Sequence, residues 1–205
     1  MHNRFYIRTG YFLFSLLFPS KAYGKENFPK DRALIVANHY SAIDPAYIYK
    51  FTKRDLFFLC KKEALKNKIA RRFLIEAGAI SVDRDANDVR ALMNAMKVLK
   101  EGKKLVIFPE GTRNKTGEEL QELKSGAGLI AVRTKTPVVP VMFLKHPKIF
   151  RRSYMIVGKP FELKEFYDKK LTKEDYETID NIIREKMIET RAELAAKRKE
   201  KKKCR

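Results

Sequence analysis

The 205-residue chain has no tryptophan, two cysteines, three histidines and nine glycines. Cys60 and Cys204 are too few for a disulfide framework, and Cys60 lies in the apolar run Leu56–Cys60, so both are expected as reduced thiols. The histidines and cysteines form no cluster with metal-ligand spacing, and no nucleotide-binding glycine motif is present; no metal and no cofactor are expected. There is no helix-turn-helix pattern, RNP box or zinc finger, so nucleic acid is not expected as a partner. Long apolar runs are missing too. The best stretch, Phe5 to Phe18, is fourteen residues and is interrupted by Arg8, Thr9, Gly10 and Ser15. As a helix it would span about 21 Å, short of a hydrocarbon core of roughly 30 Å. Arg4, Arg8 and Ser20-Lys-Ala22 loosely fit a secretory signal, but a segment lying in a membrane interface is the better reading. Its tyrosines and phenylalanines suit the headgroup boundary.

Acidic residues are also scarce, 25 Asp and Glu against 45 Lys and Arg, for a formal charge of +20. Such an excess calls for an anionic partner: nucleic acid, a membrane surface, a phosphorylated substrate or an acidic carrier protein. Seven basic residues fall in the tail from Lys197 to Arg205.

Short apolar, β-branched runs alternate with helical patterns. Strands are expected at Ala33–Ala37, Leu56–Leu59, Ala79–Val82, Lys104–Phe108, Val138–Phe143 and Met155–Val157. Helices are expected near Pro45–Phe51, Ile69–Ala77, Asp88–Glu101 and Ser125–Thr134, the third capped by Asn87 or Asp88. From Thr172 to about Lys203 one long charged helix carries an apolar stripe of Tyr176, Ile179, Ile183, Met187 and Leu194. The fold class is therefore α/β: a single domain with a central mixed, largely buried sheet flanked by helices. An interfacial N-terminal segment (1–21), a main domain (22–160) and a basic amphipathic C-terminal helix packed on it (161–205) are expected.

Within this framework four segments carry chemistry. Ala33-Leu-Ile-Val-Ala-Asn-His-Tyr-Ser-Ala-Ile-Asp-Pro45 puts His39 just past a buried strand, with Asp44 five residues on. A neutral histidine there can take a proton, and the carboxylate can fix its tautomer and stabilise the imidazolium. Pro45 disfavours helical geometry at Asp44 and suits the first turn of a helix. Ser41 raises a covalent serine intermediate as a rival, but no Gly-x-Ser-x-Gly elbow surrounds it and a local turn role is simpler. Gly78-Ala-Ile-Ser-Val-Asp-Arg84 ends in an acid and a base at a strand exit. In Phe108-Pro-Glu-Gly-Thr-Arg113, Gly111 permits close backbone approach, Thr112 offers a hydroxyl and Arg113 can grip a phosphate with two donors. Val138-Val-Pro-Val141 reads as a strand, with Pro140 at a sheet edge or break. His146 and His2 have no partner in the sequence.

These four blocks, in this order and at these separations, resemble the glycerolipid acyltransferases, most closely the bacterial 1-acylglycerol-3-phosphate acyltransferases, over about Ala22 to Lys159. The stretch Leu65–Arg72 departs from the usual pattern, with Arg71 about where a glycine is common. The resemblance implies His39 as general base and Asp44 as its orienting partner. It implies Arg84 and Arg113 as phosphate-binding residues, with Glu110, Gly111 and Thr112 completing the acceptor site. Glu110 would orient Arg113 or touch the glycerol hydroxyl. Oxyanion candidates are the Gly111 amide and a lysine, Lys61 or Lys62. The Val138–Val141 block would line an acyl tunnel. The donor implied is acyl-CoA or acyl carrier protein and the acceptor is lysophosphatidate. The enzyme would sit on the cytoplasmic face of the cell membrane against anionic lipid. Acylation of another lysophospholipid, thioester hydrolysis and a non-enzymatic membrane-binding role are the alternatives.

Overall fold

A computed structural model describes residues 12–52, 56–83, 88–124 and 126–203. After a helical stretch at 12–17, seven strands are laid down: β1 (Ser20–Tyr23), β2 (Ala33–Ala37), β3 (Leu56–Lys61), β4 (Ala79–Val82), β5 (Lys104–Ile107), β6 (Val138–Phe143) and β7 (Ser153–Val157). Helices α1 (Asp44–Thr52), α2 (Lys68–Glu76), α3 (Val89–Lys100), α4 (Gly126–Thr134) and α5 (Lys173–Lys203) connect or follow them. The strands form one sheet in the order β1-β7-β6-β2-β5-β3-β4. From β6 through β2, β5 and β3 to β4 every pairing is parallel, while β7 runs antiparallel to β6 and β1 parallel to β7.

The expected mixed sheet is present, and its pleat explains the continuous apolar runs. Leu34 and Val36 point to a core shared with α3, α4 and α5, whereas Ala33, Ile35 and Ala37 point to a core shared with α1 and the 12–17 stretch. All five are buried because both faces are covered. Asp88 caps α3 as expected, its Oδ1 accepting the Ala91 N–H at 3.0 Å. In α5, Ile179, Ile183, Met187 and Leu194 are buried on the sheet. Gly128 of α4 lets α5 approach, since a Cβ there would stand 2.2 Å from the Ile179 Cγ2.

Two expectations change. β1 was not predicted: Ser20–Tyr23 is short and half polar, and only pairing with β7 makes it a strand. Pro140 lies neither at an edge nor at a break but inside β6, between β2 and β7. It is tolerated because pairing with β7 stops at Val141–Val157, and the Pro140 carbonyl still accepts the Gly158 N–H at 2.8 Å. Among the described residues no helix is long and apolar enough to cross a membrane.

Candidate active site

In a parallel sheet all strands exit on one edge, which is where ligands bind. His39 follows β2, the Phe108–Arg113 loop follows β5, Lys61 and Lys62 stand at the end of β3, and Asp83 at the end of β4. These strands are neighbours in the order β2-β5-β3-β4. At ~4.8 Å per strand, the row of groups is about 14 Å long. Residues as far apart in sequence as His39 and Arg113 thus share one edge. Arg84, one residue beyond Asp83, lies outside the described residues.

The histidine is held on every side. Its Nδ1 is 3.0 Å from the Asp44 Oδ2, and the Asp44 side chain is 1% exposed. The same oxygen accepts the Tyr40 and Ser41 N–H groups, each at 2.7 Å, so the carboxylate folds the loop around itself. The His39 ring stacks on Phe108, with centroids 4.1 Å apart and planes at 22°. Fixing Nδ1 on a carboxylate leaves Nε2 as the basic nitrogen, and a side chain 14% exposed lets a substrate reach it. Ser41 contributes its backbone; no hydrogen bond joins its hydroxyl to His39.

Glu110 does something other than expected. It is 2% exposed; Oε1 accepts the His39 N–H at 2.6 Å, and Oε2 accepts the Gln121 N–H at 3.1 Å and an Asn114 side-chain N–H at 3.3 Å. The Asn114 N–H in turn donates to the His39 carbonyl at 2.7 Å. Burial pushes the Glu110 carboxyl above its ordinary range, and the hydrogen bonds it accepts pull against that shift. In place of the expected contact with Arg113 or glycerol, Glu110 ties the Phe108–Arg113 loop to the backbone of the base. Glu110→Ala is accordingly expected to strand two backbone donors, costing roughly 1–3 kcal/mol for each. Steady-state kinetics should show a fall in kcat with the acceptor KM nearly unchanged; a raised KM alone would restore the acceptor-contact role.

Gly111 has φ 68°, and its N–H already donates to the Phe108 carbonyl at 3.0 Å, closing a tight turn. The Gly111 N–H is thus engaged within the turn. The Lys62 Nζ is 3.5 Å from the Asp83 carboxylate, an exposed pair, while Lys61 is exposed at the strand end. Asp83 thus faces Lys62, and its N–H donates to the Asp88 Oδ2 at 3.0 Å. Thr112 and Arg113 are exposed at the loop tip, and Arg113 forms no salt bridge with a described residue. A Cβ at Gly111 would meet the Lys124 side chain at 2.8 Å, so a further cation lies over the same turn.

Several supporting residues gave no signal in the sequence. Asn38 is fully buried and mimics a strand residue, its Nδ2 donating to the Phe143 carbonyl at 3.0 Å and its Oδ1 accepting the Phe143 N–H at 2.7 Å. Arg191 of α5 donates through Nη1 to the Tyr40 hydroxyl at 3.3 Å and the Phe143 carbonyl at 3.0 Å, and its Nε lies 3.1 Å from Glu119. Arg184 donates to the Gln121 carbonyl at 3.1 Å, and the Gln121 N–H leads on to Glu110. The C-terminal helix therefore braces the His39 and Glu110 loops from behind. His146, isolated in sequence, packs its ring on Tyr40 at 4.7 Å.

Beside this edge an apolar cavity of about 250 Å³ lies between the 12–17 stretch, α1, α2 and β3. Ala42 and Ile43, from the loop joining His39 to Asp44, form part of its wall with Phe14, Pro45, Tyr49 and Phe58. Val138–Val141 are absent from its lining. They are buried inside the sheet, where strand packing claims their side chains.

A His–Asp pair at the carboxyl edge of an α/β sheet, with cations along the edge and an apolar cavity beside its loop, is an arrangement suited to taking a proton next to a bound apolar group. A model of the Acyltransferase family matches residues 20–144, and the chain belongs to that family. It is 33% identical over 153 residues to the Bacillus subtilis 1-acyl-sn-glycerol-3-phosphate acyltransferase, covering 71% of this chain and 75% of that protein. The Helicobacter pylori protein of the same name is 32% identical over 140 residues, which are 66% of this chain and 56% of that protein's length. The crystal structure of the Thermotoga maritima 1-acyl-sn-glycerophosphate acyltransferase, PlsC, superimposes with a TM-score of 0.68 at 26% identity, covering 92% of this chain and 83% of that one.

Proposed function

We propose that this acyltransferase transfers an acyl chain from a thioester to the sn-2 hydroxyl of 1-acylglycerol 3-phosphate, making phosphatidate. The observation that carries the reading is the His39–Asp44 pair with its free Nε2 at the strand edge, next to both an apolar cavity and a row of cations. The names of the relatives support the choice of acceptor.

In this reading His39 Nε2 takes the hydroxyl proton as the sn-2 oxygen attacks the thioester carbonyl carbon, while Asp44 stabilises the imidazolium. The new C–O bond leaves negative charge on the carbonyl oxygen, which Lys61 or Lys62 stabilises. Collapse breaks the C–S bond, the thiolate leaves with the bonding pair, and the imidazolium proton passes to sulfur. Arg113, with Arg84, holds the acceptor phosphate, and Thr112 lies within the same loop tip. The donor's chain occupies the cavity lined by Ala42, Ile43 and Phe58. Acyl-CoA and acyl carrier protein both fit a chain of net charge +20. That charge also favours the anionic cytoplasmic face of the cell membrane, with the 12–17 stretch lying in the interface.

The acceptor assignment is tested by comparing lysophosphatidate with lysophosphatidylcholine and with monoacylglycerol as acceptors. Lysophosphatidate should be preferred, and Arg113→Ala should raise its KM at least about tenfold, the loss expected for a charge-assisted contact of ~1.5–3 kcal/mol. Equal use of monoacylglycerol would exclude a phosphate-reading site.

A further inference from the structure

The connection between β6 and β7 has features that the catalytic site does not use. It reads Lys145-His-Pro-Lys-Ile-Phe-Arg-Arg152, with four cations and no acid. Lys148 and Arg151 pair as an antiparallel bridge, and the Arg151 N–H donates to the Lys148 carbonyl at 3.1 Å. Ile149 and Phe150 are therefore the tip of a tight turn. Such tips favour Gly, Asn or Asp, which tolerate left-handed backbone and solvent. Phe150 instead adopts φ 56°, a region in which a bulky side chain is strained. It is also 74% exposed, and Ile149 58%. Strain and apolar exposure coincide at one place, and the protein interior gains nothing from either side chain.

The turn has an apolar neighbour. The Phe150 N–H donates to the Leu17 carbonyl at 2.7 Å, and the Ser153 N–H to the Pro19 carbonyl at 2.9 Å. These bonds fix the tip to the end of the 12–17 stretch. There Phe14 packs inward on Tyr47, with ring centroids 5.1 Å apart. Phe12, Leu13, Leu16 and Leu17 remain 66%, 54%, 58% and 40% exposed. A helix that is apolar all round requires cover on both sides. Around the joined patch, Lys145, Lys148, Arg151 and Arg152 are exposed, and none forms a salt bridge with a described residue.

We propose that the Lys148–Arg151 turn is a second membrane-inserting wedge: Ile149 and Phe150 enter an anionic leaflet beside the 12–17 stretch, and the four surrounding cations bind its phosphates. The proposal rests on the membrane reading above and adds to it a contact about 130 residues further along the chain. Lipid fits this surface because rings settle at the headgroup boundary while cations meet phosphate just outside it. The wedge also adjoins the site: His146, at its base, packs on Tyr40 beside the base His39.

The absence of tryptophan makes the test direct. Phe150→Trp in the full chain creates a single reporter, to be titrated with vesicles of phosphatidylcholine containing phosphatidylglycerol. Its emission should shift to shorter wavelength and be quenched by brominated lipid. Glu177→Trp, on α5 across the sheet, should show neither change. Ile149→Ser combined with Phe150→Gly should weaken vesicle binding at least about tenfold, since apolar area drives interfacial binding. Its thermal stability should be kept or raised, because glycine removes the left-handed strain. Changing Lys145, Lys148, Arg151 and Arg152 to Gln should lower binding to anionic vesicles by about 100-fold or more, at ~1 kcal/mol per cation. A wild-type chain that binds no vesicle would overturn the membrane reading itself. Vesicle binding that the double variant leaves intact, with a silent Phe150→Trp, would overturn the wedge alone. If the turn variants weaken binding of an acidic carrier protein and spare vesicles, the patch is a protein-docking site and the wedge is again excluded.

Discussion

Replacing His39 with alanine is expected to lower kcat for phosphatidate formation by ~10²–10⁴-fold, the usual contribution of a positioned general base. The KM for lysophosphatidate should hold, because the residues proposed to bind its phosphate, Arg84 and Arg113, follow other strands. The fold should hold as well. The loop backbone is anchored independently of the imidazole, by Asp44 on the Tyr40 and Ser41 N–H groups and by Glu110 and Asn114 on the His39 main chain. What is lost structurally is the stacking on Phe108, worth about 0.5–1.5 kcal/mol, together with the Nδ1–H bond to Asp44. Initial rates together with thermal unfolding separate the two effects. A folded variant that turns over at the wild-type rate would remove His39 from the proton transfer.

Asp44 has two tasks, and two substitutions divide them. Asp44→Ala removes the acceptor for His39 Nδ1–H and for two backbone N–H groups. Activity should fall by ~10²–10⁴-fold as the base loses its orientation. Two poorly solvated donors are left without partners, which costs about 1–3 kcal/mol each and should lower the unfolding midpoint clearly. Asp44→Asn keeps an oxygen for the backbone donors but loses the charge that stabilises the imidazolium. It should retain most of the stability and little of the activity. If the asparagine variant kept near-wild-type kcat, the carboxylate would be structural only, and His39 would have to work without electrostatic support.

The extent to which the sequence disclosed this site follows from the range of each interaction. His39 and Asp44 were readable because five residues of one loop hold both partners, and the helix that begins at Asp44 turns its carboxylate back to the loop. The parallel core strands were readable because burial on both faces makes Ala33–Ala37 and Val138–Phe143 uninterrupted apolar runs. Ser20–Tyr23 was not, since a four-residue half-polar strand exists only through its pairing with β7. The partners of Glu110 were hidden for a similar reason. Within Phe108–Arg113 it stands beside Arg113, yet its partners His39 and Gln121 are 71 and 11 residues away. Asn38 and Arg191 act across 105 and 151 residues, on Phe143 and Tyr40. No local pattern encodes contacts of that kind. Pro140 shows the converse limit: the rule that proline avoids interior strands holds for donors a neighbour needs, and here β7 has ended.

The reaction proposed for the His39 edge joins a thioester's acyl group to lysophosphatidate. Purified protein supplied with radiolabelled acyl-CoA or acyl carrier protein thioester and unlabelled 1-acylglycerol 3-phosphate, with products separated by chromatography, tests it most directly. Labelled phosphatidate is expected in step with free thiol, from at least one of the two donors and only when the acceptor is present. Thiol and free fatty acid released at the same rate without acceptor, or no phosphatidate from either donor, would contradict it.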